Sequence, residues 1–245
     1  MKLIEGIDAL LKGRLIASIR EPSAYIEVRE RNGERKLLYN GITFSRIRDG
    51  TLFTLGYWDY FMPLPRVFSS ANVLVIGLGG GTVPYQLETL YHDISIDVVE
   101  IDPNIVSISK VLLPRSLKAR IIIGDGAEFV QRASNAYDLI ILDAYVNAMM
   151  PSAFLSEQFV QSAYKALRQK GILAVNHIRG PGTAYSEGYL GRLKGYFNVG
   201  VVSVYNLGNQ LLICMKGLEK GEIYKAASDF GNKKIAEDYT SMEQL

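Results

Sequence analysis

Four short stretches of the chain carry residues whose types and spacing fit chemistry. Val75-Ile76-Gly77-Leu78-Gly79-Gly80-Gly81-Thr82 follows an apolar run and opens a helical pattern. Glycines at a strand-to-helix turn let backbone N–H groups approach a ligand, and the helix N-terminus favours negative charge. Gly77, Gly79 and Gly81 complete a G-x-G-x-G pattern, while Thr82 stands where a dinucleotide fingerprint needs its third glycine. That pattern fits a nucleoside sulfonium, which has no pyrophosphate to cradle. Glu100, in Val98-Val99-Glu100-Ile101-Asp102, lies about 20 residues beyond the glycines, where an acid accepts both hydroxyls of a ribose. Asp125, in Gly124-Asp125-Gly126, can accept from an exocyclic adenine amine, and Gly126 leaves room for a flat base. Asp143 follows the apolar run Leu139-Ile140-Ile141-Leu142. Beside a cationic sulfonium and an incoming amine, it can orient the nucleophile or take its proton. Each motif also has a plain structural reading: a tight turn, a solvated strand-end acid, a helix N-cap, a carboxylate bonding loop amides.

These residues act together only if the chain brings four strand ends to one edge. From residue 72 onward the pattern alternates as that requires. Asn72–Ile76 is a continuous apolar run, the mark of a strand buried on both faces. Further strands are expected over Ile94–Ile101, Ala119–Ile123, Leu139–Leu142 and Gly171–Asn176. Helices are expected over Thr82–Leu90, Pro103–Leu113, from Ala127, and over Ser156–Arg168. Such alternation predicts a doubly wound, Rossmann-like parallel sheet, whose ligands bind outside the carboxyl ends of its strands. Tyr196–Val204 and Gln210–Met215 read as an antiparallel pair, and the tail from Lys216 as helical.

Before residue 69 the pattern is different. Ala24–Glu30, Arg35–Tyr39 and Ile42–Arg48 read as strands joined by Asn-Gly turns at Asn32-Gly33 and Asn40-Gly41, with Asp49-Gly50 closing a three-stranded meander. Thr51–Leu64 is aromatic-rich and reads as a helix stopped by Pro63 and Pro65. The division is therefore a small N-terminal antiparallel β unit with its connecting helix over 1–68, and a nucleoside-binding catalytic domain over 69–245.

Composition narrows the function classes. With 48% hydrophobic and 21% charged residues, the chain is that of a globular protein. A net charge of +2 gives no global case for a nucleic-acid partner, and the run Arg29, Arg31, Arg35, Lys36 reads as a solvated face. No apolar run is long enough to span a bilayer, so a cytoplasmic protein with no membrane partner is expected. Cys214 and two histidines give no basis for an internal disulfide or a metal site. His92 reads as a surface residue, and His177 as structural or gating. Tyr57, Trp58, Tyr60 and Phe61 read as an aromatic seam between meander and sheet rather than as pocket lining.

Taken in order, VLVIGLGGGT, VVEIDPNIVSISKVLLP, IIIGDGAEFV and YDLIILDAY resemble the spermidine synthase (polyamine aminopropyltransferase) family, a branch of the class I S-adenosylmethionine-dependent methyltransferase fold. PSAFLSEQFVQSAYKALRQKGILAVN is similar to the helix and fifth strand that follow the family's active-site loop. The resemblance implies that Glu100 binds ribose, Asp125 and Gly126 bind adenine, and Asp143 lies beside the reacting centre. It implies S-adenosylmethionine or its decarboxylated form as donor, no metal, a small acceptor such as a polyamine, and a homodimer. The departures are specific. The family's G-G-G-D-G-G aspartate falls at Gly80, the second aspartate of its D-x-x-D-P falls at Val146, and its YQ pair falls at Tyr25-Ile26. Gly80 offers a backbone N–H and no negative charge, so S-adenosylmethionine is expected to bind at least as tightly as the decarboxylated donor. Methyl and aminopropyl transfer both stay open. A nucleoside-binding protein that has lost aminopropyl transfer is the alternative, and Thr82 and Asp125 disfavour a nicotinamide-dependent oxidoreductase.

Overall fold

The computed structural model describes residues 13–146, 149–178, 187–204 and 208–245. The N-terminal unit has four antiparallel strands, β1 (Arg14–Arg20), β2 (Tyr25–Arg31), β3 (Glu34–Tyr39) and β4 (Ile42–Arg48), in sequential order. Both Asn-Gly turns are as read: Asn32 and Gly33 have φ 53° and 72°, Asn40 and Gly41 φ 49° and 82°. Two successive positive φ values match the strand twist of a two-residue hairpin. The extra strand, β1, has a register shift between Leu15 and Ala17. That bulge breaks the alternation by which a strand is recognised.

The aromatic stretch is not one helix. It forms two short 3₁₀ turns, Tyr57–Phe61 and Leu64–Val67. Asp59, buried, accepts N–H bonds from Thr54 (3.3 and 3.2 Å) and Leu55 (2.8 Å) and a 2.6 Å bond from Gln86 Nε2. This carboxylate draws the Thr54 and Leu55 amides onto itself, away from a helical hydrogen-bond pattern, and Pro63 and Pro65 cannot donate to a continuing helix.

An eight-stranded sheet follows, comprising β5 (Ala71–Ile76), β6 (Ile94–Glu100), β7 (Arg120–Ile123), β8 (Tyr137–Leu142), β9 (Leu167–Ile178), β10 (Asn198–Ser203), β11 (Asn209–Met215) and β12 (Glu243–Gln244). Their order is β12-β10-β11-β9-β8-β5-β6-β7, parallel from β9 through β7 and antiparallel beyond β9. Alternate residues of each central strand enter different cores. Val73 and Val75 of β5 join Leu139 and Ile141 of β8 on one face; Leu74, Ile76, Ile140 and Leu142 face the other.

Helices α1 (Thr82–Leu90) and α2 (Pro103–Leu112) cover the first face together with the N-terminal sheet, whose Ile26, Val28, Leu37 and Ile47 join the same core. Helices α3 (Gly126–Arg132), α4 (Glu157–Ala166) and α5 (Glu187–Lys194) cover the second. The tail is packed: α6 (Lys220–Asp229) and α7 (Lys233–Thr240) lie on the first face, where Tyr239 donates to Tyr60 O at 2.6 Å. No helix among the described residues is long and apolar enough to cross a membrane.

Candidate active site

In a doubly wound sheet the crevice opens where the strand order reverses, outside the carboxyl ends of β5 and its neighbours. Here that position holds a cavity of about 370 Å³, within the general range for small-ligand sites. Gly77, Gly79, Glu100, Asp125, Gly126 and Asp143 all line it. Gly81 does not; it has φ 86°, precedes α1 as its cap and packs beside Leu113.

The glycine turn is shaped by what crosses it. Gly77 has φ 93°, and a side chain there would put its Cβ 2.3 Å from the Asp143 carbonyl oxygen. Glycine at 77 therefore lets the β5 and β8 turns meet, a contact closed by Asp143 N donating to Ile76 O at 2.9 Å. The other wall is β4. Gly80 N donates to Ser45 Oγ at 2.7 Å, and the Thr82 hydroxyl accepts from Arg46 N and donates to Arg46 O. Thr82, the missing third glycine, thus ties the N-terminal sheet to the turn. The Gly80 N–H expected to receive a donor carboxylate is already engaged by Ser45. A side chain at 80 would also meet Ser45 Cβ at 2.5 Å and Leu112 Cδ2 at 2.3 Å, so the family's aspartate would fit there only if β4 or the turn shifted.

Glu100 is 8% exposed. Its Oε2 accepts Leu78 N at 2.8 Å and its Oε1 accepts Asp102 N at 3.0 Å. Burial pushes its pKa up while those amides pull it down. A carboxylate has about four acceptor positions, so these amides do not exhaust its accepting capacity. Asp125 caps α3: its Oδ1 accepts from Ala127 N at 2.7 Å and Glu128 N at 3.1 Å. Oδ2 takes no part in the cap, so the capping and ligand-facing readings coexist.

Asp143 stands half-buried at the end of β8. Asn176 Nδ2 donates to its Oδ1 at 2.8 Å, and the Tyr57 hydroxyl donates to Oδ2 at 3.0 Å. Desolvation raises its pKa to about 6, against the pull of Asn176 and Tyr57. Burial and the Asp143 charge hold the Tyr57 hydroxyl well above the usual phenol range, so it stays a donor. Asn209 Nδ2 donates to Asn176 Oδ1 at 2.9 Å, which fixes the amide that faces Asp143.

Several sequence readings change here. Trp58, Tyr60 and Phe61 form the aromatic seam, buried in the core, and Tyr57 packs against that seam while also lining the cavity. Tyr25 and Ile26 do not line it: Arg20 stacks on the Tyr25 ring and Ile26 is fully buried. The reason is pleat geometry, since β2 turns its apolar positions into the shared core. His177 alternates away from the cavity, which its neighbours Asn176 and Ile178 line. Asn147 and Arg179 lie outside the described residues. Asn176, Asn209, Tyr145 and the β4 rim (Ile42, Thr43, Phe44) were not singled out in the sequence, and all line the site.

The sheet order and the helices on both faces define a class I methyltransferase-type fold with a small β unit ahead of it. The spermine/spermidine synthase domain model matches residues 57–179, half of the chain. The chain belongs to the spermine/spermidine synthase family. It is 34% identical over 121 residues to a polyamine aminopropyltransferase of Vibrio vulnificus, a match covering 47% of this chain and 39% of that protein. It is 33% identical over 119 residues to an N-terminal histidine N-methyltransferase of Emericella nidulans, covering 46% of this chain and 21% of that protein. These matches therefore span less than half of each curated relative. Among solved structures, a probable spermidine synthase from Corynebacterium glutamicum superposes with a TM-score of 0.73 at 18% identity, covering 90% of this chain and 88% of that one. At that identity the likeness speaks for the fold. The curated relatives are transferases, and they divide between aminopropyl and methyl transfer.

Proposed function

We propose that the chain transfers an alkyl group from a sulfonium nucleoside, S-adenosylmethionine or its decarboxylated form, to a small amine. The observation that carries this reading is Asp143, a carboxylate with a raised pKa held by Tyr57 and Asn176 in the same cavity as Glu100 and Asp125. Glu100 takes the ribose hydroxyls, Asp125 and Gly126 take the adenine, and Gly77, Gly79 and Gly81 shape the turn beside the sulfur chain. The N-terminal unit, through β4, forms the opposing wall.

The reaction is an in-line displacement. The amine lone pair attacks the carbon on sulfur, the C–S bond breaks, and its electron pair stays on sulfur as a neutral thioether. The ammonium formed gives its proton to the Asp143 carboxylate. Placing both reactants and removing that proton supplies the catalysis. Tyr57 and Asn176 keep the carboxylate aimed; the pull of their hydrogen bonds stops short of restoring an ordinary carboxylate pKa. Calorimetry with methylthioadenosine and S-adenosylhomocysteine tests the reading. Heat of binding with at least one is expected, and folded protein that binds neither refutes it.

A further inference from the structure

The cavity has two chemically different halves. The β5–β7 half holds three acids, Glu100, Asp102 and Asp125, each accepting backbone N–H groups at a turn or helix start. The other half lies over β8, β9 and β11. Among the described residues lining it, Asp143 is the one ionisable carboxylate. Around Asp143 stand Tyr57, Tyr145, Val146, Asn176, Ile178 and Asn209. The polar members are engaged with one another: Tyr145 donates to Asn176 O at 2.6 Å and Asn209 to Asn176 Oδ1 at 2.9 Å. Val146 and Ile178 are the apolar members. Val146 is 51% exposed and exchanges both backbone bonds with Met149, itself 66% exposed. No lysine, arginine or histidine lines the cavity among the described residues.

One carboxylate at the acceptor end serves one ammonium. The nitrogen that attacks must be neutral, and the proton of the ammonium it then forms goes to Asp143. A diamine brings a second ammonium into the same half, where nothing described carries the charge to meet it. An unpaired cation shielded from water is costly, whereas an alkyl or aryl group in that place gains by leaving water. Among the described residues lining the cavity, an anionic acceptor meets no cation. Resting on the transferase reading above, we infer that the acceptor is a monoamine on an apolar body, seated between Val146 and Ile178, and not a diamine.

Pentylamine and diaminobutane differ little in length and by one ammonium, so they isolate the effect. Their dissociation constants are measured on the full chain, both alone and saturated with methylthioadenosine. Pentylamine is expected to bind at least tenfold more tightly than diaminobutane. Val146→Asp, at an exposed position, is expected to move that ratio at least tenfold toward the diamine; Ile178→Asp gives the same test from the end of β9. Equal or tighter binding of diaminobutane to the wild type overturns the inference. So does failure of both amines to bind, or a ratio that neither aspartate moves. Failure of methylthioadenosine to bind strikes the nucleoside reading instead, while the amine ratio on the unloaded chain still decides the acceptor class.

Discussion

The Tyr57 hydroxyl reaches both oxygens of the Asp143 carboxylate, at 3.0 and 3.2 Å, across 86 residues of sequence. A residue from the first 3₁₀ turn ahead of the parallel sheet thus reaches the acid at the end of the sheet's fourth strand. The tyrosine is held by its own surroundings: its ring lies 4.5 Å from Trp58 and 6.5 Å from Phe61, centroid to centroid. The geometry of the acid therefore depends on how the aromatic loop packs.

Asp143→Asn keeps the shape and removes the base. Turnover with an accepted amine is expected to fall roughly 10²- to 10⁴-fold. Affinity for methylthioadenosine is expected to stay within about threefold, because the nucleoside contacts are assigned to Glu100 and Asp125. Steady-state kinetics beside calorimetry separates the two; an equal loss in both would make Asp143 a binding residue.

The pH profile follows from the raised pKa. With Asp143 titrating at about 6, kcat/KM should fall as pH drops through that value, because the base becomes protonated in the free enzyme. Tyr57→Phe removes a hydrogen bond that favours the ionised form, so its acid limb should lie at higher pH than the wild type's. A limb that stays in place, or moves down, would contradict the assignment of Tyr57 as a positioning residue.

Stability should respond in a matching way. A carboxylate whose folded pKa stands above the unfolded 3.8 favours folding most below 3.8, and that contribution is lost as pH rises through about 6. Asp143→Asn removes the desolvated charge. Its melting temperature is expected to exceed the wild type's above about pH 6, with the difference shrinking toward pH 3.8. Thermal melts across this window check it, and a variant less stable than wild type at neutral pH would show that the carboxylate's hydrogen bonds outweigh its desolvation.

Glu100→Gln leaves one acceptor oxygen where Leu78 N–H and Asp102 N–H both need one. Loss of the charge-assisted ribose contact should weaken methylthioadenosine binding by on the order of 1.5–3 kcal/mol. A folded variant that binds as tightly as the wild type would remove Glu100 from the nucleoside site.

Much of the site is legible in the sequence because it is local. Glu100, Asp125 and Asp143 each follow an apolar strand core, so strand direction alone carries them to one edge. Asn176 has the same signal, a polar residue after Ile172-Leu173-Ala174-Val175, and could have been read that way. Tyr57, Asn209 and the β4 rim have no such signal. Their positions depend on β4 being stitched to the glycine turn through Ser45 and Thr82, and on β11 returning antiparallel to β9. β1 was hidden by its bulge, and the aromatic stretch read as a helix because nothing in its composition announces that Asp59 folds inward.

On the proposed transferase reading, donor choice is expected to turn on Ser45, which holds the Gly80 N–H. The two donors differ by one carboxylate on the chain attached to sulfur. An aspartate at position 80 would repel that carboxylate, and this chain has none. Yet the Gly80 N–H that would attract it is held by Ser45 Oγ at 2.7 Å, and no cation lines the cavity among the described residues. The first residues of α1 do not line the cavity, so little else there attracts the carboxylate. The expected outcome is therefore near parity: S-adenosylmethionine and its decarboxylated form should compete within tenfold of each other, about 1.4 kcal/mol. Ser45→Ala frees the N–H without adding bulk, and should shift the ratio toward the carboxylate-bearing donor. Gly80→Asp alone is no substitute, because its Cβ would lie 2.5 Å from Ser45 Cβ and the turn would have to move. Competition titrations of both donors on wild type and Ser45→Ala decide the matter. A wild-type preference beyond tenfold for the decarboxylated donor would mean that a charge elsewhere replaces the missing aspartate, and would favour aminopropyl over methyl transfer.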